Sequence, residues 1–83
     1  MTEVLLTDRA RRDLHALDPP IRRRIVSKLR ELAHDPLGRS RRLTNLDLGS
    51  YRYRIGPYRV VFDLEGNDVI VLRIGHRREI YRG

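Results

Sequence analysis

The hydrophobic period of this chain changes once, and that change limits what it can fold into. Before residue 35 the apolar side chains recur at helical spacing; after residue 50 they alternate. A 3.6-residue period and a two-residue period cannot belong to one element, so helices fill the first part and strands the second. Val4 to Leu6 is an apolar run long enough for one short strand, and Thr7 caps a helix that begins at Asp8. Ala10, Leu14 and Leu17 then mark one helical face, with Arg9, Arg11, Arg12 and Asp13 elsewhere. Asp18-Pro19-Pro20 ends this helix and starts the next, Asp18 as N-cap and proline in the first turn. Ile21, Ile25, Val26, Leu29, Leu32 and Ala33 line a face of the second helix, which stops at His34-Asp35-Pro36-Leu37-Gly38. The two form a helical hairpin.

Residues 38–49 have no clean period and read as a loop. Tyr51, Tyr53 and Ile55 then alternate with Arg52 and Arg54, Gly56-Pro57 is turn chemistry, and Tyr58, Val60, Phe62 and Leu64 alternate with Arg59, Val61 and Asp63. Glu65 to Asp68 is a second turn. Val69 to Ile74 is apolar except for Arg73, as in a central strand. The tail from Gly75 is polar with two anchors, Ile80 and Tyr81. The expected fold is a small α+β domain spanning 1–83. Its order is strand-helix-helix-strand-strand-strand, with the helical hairpin on one face of a mostly antiparallel sheet.

Charge narrows the function. Lys plus Arg number 18 against 11 Asp plus Glu, a net charge of +7 on 83 residues, and 17 of the 18 are arginine. Such a surplus suits a polyanion or an acidic partner, and arginine supplies bidentate contacts to phosphate. The absence of cysteine excludes disulfide scaffolds, cysteine-ligated metal centres and thiol catalysis. The N-terminus turns charged within eight residues, so no signal peptide is expected. The apolar runs are far below the ~20 residues that cross a bilayer. The expectation is a cytoplasmic protein with no membrane partner.

If Tyr51, Tyr53, Ile55, Val60, Phe62 and Leu64 face the helices, then Arg52, Arg54 and Arg59 project from the opposite face. Pairing across Gly56-Pro57 brings them together, where like charges repel and an anion relieves them. The alternative is a solvated sheet face that uses arginine as a generic polar residue. Arg77 and Arg78 follow the next strand, near the end of that face.

The stretches YRYRIGPYRVVFDL (51–64) and DVIVLRIGHRREIYR (68–82) together resemble the RelE/ParE toxin superfamily. The resemblance extends over the N-terminal strand, the helix with DRARRDLHAL and the longer helix ending in DP, and so over nearly the whole chain. The departure is Tyr53, where an aliphatic residue is commoner. The resemblance implies the toxin of a type II toxin–antitoxin pair, with no metal and no cofactor. The RelE-like branch is a ribosome-dependent messenger-RNA endonuclease in which a ribose 2′-hydroxyl attacks the adjacent phosphate. On that pattern Arg59 and Arg77 bind phosphate and leaving group, and Tyr81 stacks on the nucleotide. Arg52, Arg54 and Arg78 hold RNA. Tyr81 is alternatively a core anchor for the tail.

Some members carry lysine at the positions of Arg52 and Arg54, where it can act as a base; arginine is a poor base. Histidine titrates near neutral pH, so His76 is the substitute, with a surface role as its alternative. The ParE-like branch inhibits DNA gyrase by protein binding, without nuclease activity. A degenerate toxin that only binds its antitoxin is a third reading. The implied partners are messenger RNA on the ribosome and a cognate antitoxin, partly disordered when free, in a hetero-oligomer. Arg9, Arg12, Arg22, Arg23 and Arg30 on the helical hairpin offer a surface to an acidic antitoxin segment.

Overall fold

The computed structural model describes residues 3–35, 41–42 and 51–80. Strand β1 (Val4–Leu6) leads into helices α1 (Asp8–His15) and α2 (Pro19–His34). Strands β2 (Arg41–Arg42), β3 (Tyr51–Ile55), β4 (Tyr58–Glu65) and β5 (Asp68–His76) follow, and then one helical turn, α3 (Arg77–Ile80). The strands form one sheet in the order β1-β5-β4-β3-β2. Only β1 and β5 run parallel; the other neighbours are antiparallel. The α+β architecture expected from the change of period is the one observed.

Local chemistry explains the helix ends. Thr7 Oγ1 accepts a hydrogen bond from Ala10 N at 3.1 Å, closing the first turn of α1. Asp18 is the N-cap of α2, but its side chain makes no capping bond. Pro20 at the second helical position has no N–H to donate, so the cap has lost one of its two usual partners. Ala10 from α1 and Ile25, Leu29 and Leu32 from α2 are buried against Tyr53, Val60, Phe62 and Val71 of the sheet. Both helices therefore cover one face.

Three expectations need correction. Arg41 and Arg42, read as loop, form a strand whose register opposes Arg41 to Arg52 and Arg42 to Tyr51. Two residues are too few to show a period, yet they satisfy part of the outer edge of β3. The rest of 38–49 lies outside the described residues. The last strand runs through Gly75 and His76, and the tail begins with a helical turn rather than irregular chain. The second sheet face, expected to be left partly open by a single helical hairpin, is closed where α3 docks. Val61 points away from the helical layer yet is fully buried, and Ile80 of α3, which lies against β5 and β4, is 1% exposed.

A β-bulge decides which side chains share a face. Phe62 pairs with Val71 and Val61 with Arg73, so Leu72 is the extra residue in β5. Directly opposed residues lie on the same face. Val69 and Val71 therefore join the helix side with Leu64 and Phe62, and after the bulge Ile74 and His76 do so with Val60 and Tyr58. Strict alternation would have sent Ile74 and His76 to the other face. The bulge lets Val71 and Ile74 both enter the core.

Beyond Val71 the outer edge of β5 has outrun β1, and α1 takes over. Thr7 N donates to Val71 O at 3.0 Å and Thr7 Oγ1 to Leu72 O at 3.2 Å. Asp13 Oδ2 then accepts from Ile74 N at 3.0 Å and from Arg73 Nε at 2.9 Å. Arg73 interrupts an apolar strand because its position faces this carboxylate. Replacing Asp13 by alanine leaves Ile74 N and Arg73 without their acceptor and should cost about 1–3 kcal/mol. Asp13→Asn, which keeps one acceptor oxygen, should cost less. Urea unfolding of the two variants measures the difference; equal stability of Asp13→Ala and the parent would refute this role. Ile80→Ala removes an apolar anchor and should cost about 2–4 kcal/mol in the same assay, with faster amide exchange in α3 as its local signature.

Candidate functional site

The basic face is built by the β3–β4 hairpin. Ile55 pairs with Tyr58 across a two-residue turn, with Gly56 at φ +57° and Pro57 next. A positive φ followed by a proline near −65° fits the type II′ turn, whose twist matches that of the strands it joins. Tyr51 and Phe62 stack at 5.5 Å across the two strands and help to fix the register on the helix side. On the opposite side that register puts Arg54 directly across from Arg59, and Arg52 across from Val61. The clustering of Arg52, Arg54 and Arg59 expected from alternation is thus present. Asp63, two residues beyond Val61, lies diagonally from Arg52 on the same face.

The three arginines differ in environment. Arg54 is exposed and Arg52 half-buried. Arg59, expected to project freely, is only 9% exposed. Its Nη1 donates to Gly56 O and to Tyr58 O, each at 2.9 Å. Two opposed guanidiniums repel, and turning one back onto turn carbonyls lowers that cost while bracing the turn. Arg59 is therefore part of the hairpin's own structure.

α3 brings the last arginines to the same end of the sheet. Arg77 N donates to Pro57 O at 2.9 Å, which ties the start of α3 to the β3–β4 turn. Arg77 and Arg78 are both exposed. Tyr81 lies outside the described residues.

His76 is not on the arginine face. The bulge turns it to the helix side, where it meets Tyr58 edge-on with ring centroids 5.8 Å apart. Its Nδ1 accepts from Arg78 N at 3.2 Å, so in the neutral ring the proton is on Nε2. A cavity of about 390 Å³ beside it is lined by Asp13, Leu17, Tyr58, Glu79 and Ile80 among others. Among the described residues no group of three or more histidine, cysteine or acidic side chains could hold a metal ion.

What the face can do follows from its donors. Arginines around one turn supply fixed positive charge and hydrogen bonds to a phosphate whose charge grows during a displacement. They do not supply a proton acceptor near neutral pH. The sequence reading missed Arg24, whose guanidinium lies over Gly56 from the helical layer. Its one signal was position, three residues after Ile21 and one before Ile25, at the flank of the buried stripe.

Comparison with known proteins agrees with this architecture. The family model described as ParE toxin of type II toxin-antitoxin system, parDE, matches residues 4–81. Toxin RelG of Mycobacterium tuberculosis is 38% identical over 82 residues, covering 95% of this chain and 94% of that protein. The toxin–antitoxin complex RelBE2 of Mycobacterium tuberculosis contains a chain that superposes with a TM-score of 0.82 at 33% identity, covering 90% of this chain and 96% of that one. The RelB–RelE antitoxin–toxin complex of Methanococcus jannaschii gives 0.71 at 26% identity, covering 93% and 94%. With the expected motif, the expected fold and a family model matched over nearly its whole length, this chain belongs to the ParE toxin family of the RelE/ParE superfamily, the toxins of type II toxin–antitoxin systems.

Proposed function

We propose that this toxin is a ribosome-dependent endoribonuclease acting on messenger RNA in the cytoplasm. The ribose 2′-hydroxyl attacks the adjacent phosphate, the bond to the 5′-oxygen breaks, and a 2′,3′-cyclic phosphate and a 5′-hydroxyl result. No metal takes part. The observation that carries this reading is the directly opposed Arg54–Arg59 pair, with Arg52 on the same face and Arg77 tethered to the adjoining turn. Arg54 and Arg77, both exposed, contact the non-bridging phosphate oxygens, where charge builds in the transition state. Arg59 braces the turn and adds its field. Tyr81 orients the nucleotide, and Arg52 and Arg78 hold the strand.

The cognate antitoxin is the second partner. The relatives solved as toxin–antitoxin complexes support it, and the net charge of +7 suits an antitoxin segment that is apolar and acidic. The competing reading is gyrase inhibition by protein binding. One observation favours it: His76, the expected proton carrier, is on the helix side of β5, away from the arginine face.

Induced expression, with messenger cleavage on translating ribosomes and DNA supercoiling read in parallel, separates the two. The expected result is cleavage with cyclic-phosphate ends and unchanged supercoiling. Arg54→Gln and Arg77→Gln should each lower cleavage by about 10²–10³, and His76→Gln only slightly. Growth arrest with inhibited supercoiling and intact messenger would overturn the proposal. Arg59→Ala should also lower stability by about 1–3 kcal/mol, because two carbonyl bonds are lost. Arg59→Lys should keep part of it, as urea unfolding will measure.

A further inference from the structure

Gly56 opens the β3–β4 turn with φ +57°, and its free side is covered by an arginine from the helical layer. A methyl group there would lie 3.6 Å from Arg24 Nη2, 3.8 Å from Nη1 and 4.0 Å from Cζ. Both terminal nitrogens are nearer than the central carbon, so the guanidinium approaches the glycine with its Nη1–Nη2 edge. The left-handed φ selects glycine, and the guanidinium lies within ordinary contact distance of it. Arg24 itself remains exposed. Ile21 packs against the core and Ile25 is buried, so the stem of Arg24 runs along the flank of an apolar stripe to reach the turn.

The charge there has no counterpart among the described residues. Lys28 on the same helix is paired with Glu31 at 3.2 Å, and Arg9 and Arg73 share Asp13. Arg24 has no carboxylate partner among the described residues. On the other side of the same turn Arg59 donates to Gly56 O, and Arg54 stands opposite Arg59. Two guanidiniums thus flank one turn residue, one from each layer. A positive end of this kind reaches beyond the flat sheet face.

We infer that Arg24 binds a backbone phosphate of the RNA next to the one held at Arg54 and Arg77, so that the strand bends around the hairpin tip. A guanidinium already lying beside the turn is in place for a phosphate that docks on the hairpin tip. Arg24 is a positioning residue: it holds the strand and takes no part in bond breaking. The inference rests on the RNA-cleaving reading of the arginine face.

The test is binding of a short labelled single-stranded RNA to the full chain, followed by fluorescence anisotropy across a salt series. Each phosphate contact on a single strand contributes about 0.7 to the slope of log affinity against log salt. Arg24→Gln should flatten the slope by about 0.7 and weaken binding about twofold to fivefold at low salt. Arg24→Lys, which keeps the charge, should retain the slope. Lys28→Gln removes the same formal charge from the same helix at a paired position and should leave the slope unchanged. Circular dichroism of each variant checks that the fold is retained. If Arg54→Gln flattens the slope and Arg24→Gln does not, the inference is overturned and the RNA reading stands. If binding of the unaltered chain ignores salt, the RNA reading itself fails, and this inference with it.

Discussion

One carboxylate holds the two halves of this fold in register. β1 is only three residues long, so it leaves the far end of β5 with backbone groups facing outward. An edge of that kind is a liability unless something covers it. Asp13 covers it from α1, taking the N–H of Ile74 and the guanidinium of Arg73 on one oxygen. Asp13 is 13% exposed, so the ion pair is more shielded than a surface pair and is reinforced by the backbone bond. The position of α1, the placement of β5 after its bulge and hence the docking of α3 all follow from this contact. A helix that slid by one turn would lose all of it together.

The bulge at Leu72 divides the molecule into two chemical environments. On one side of the sheet, aromatic and aliphatic residues meet the helices, and His76 shares their space with Tyr58. On the other side, arginines gather around the β3–β4 turn and α3 closes over Gly75. Ile80 Cβ would lie 4.0 Å from a Cβ at Gly75, an ordinary contact distance. The turn itself is a junction. Arg59 takes the carbonyls of Gly56 and Tyr58, Arg77 N takes the carbonyl of Pro57, and Arg24 covers Gly56. Its backbone serves as the acceptor surface on which a basic cluster is assembled.

Much of this was legible in the amino-acid order. The change of period after residue 35 marked the helices and the hairpin. Alternation over 51–64 placed the arginines on one face, and Gly56-Pro57 marked the turn. Legibility failed where a side chain's fate depends on a distant partner. Val69 to Ile74 is apolar at nearly every position, so nothing in it signals an extra residue, and His76 inherits that ambiguity. Arg59 looked like any outward arginine because its acceptors are backbone carbonyls, which every residue has. Arg73 looked anomalous for the opposite reason, since its partner Asp13 is 60 residues away. The approach of Arg24 to Gly56 needs two layers to be packed before it exists.

The pairing of β1 with β5 also sets an order of events. Glu3 and Asp68, joined by a hydrogen bond at the start of that pairing, are 65 residues apart in the chain. Contacts of such separation form late, because a long loop must close before they return any free energy. The strand made first on the ribosome must therefore wait for the strand made last. Until residues 69–71 are available, β1 has no ladder, Asp13 has no edge to cover, and β4 lacks one of its two neighbours. A nascent chain can form the helical hairpin and the arginine-bearing turn, but it holds them apart. The completed basic face belongs to the chain that has closed its sheet from both ends.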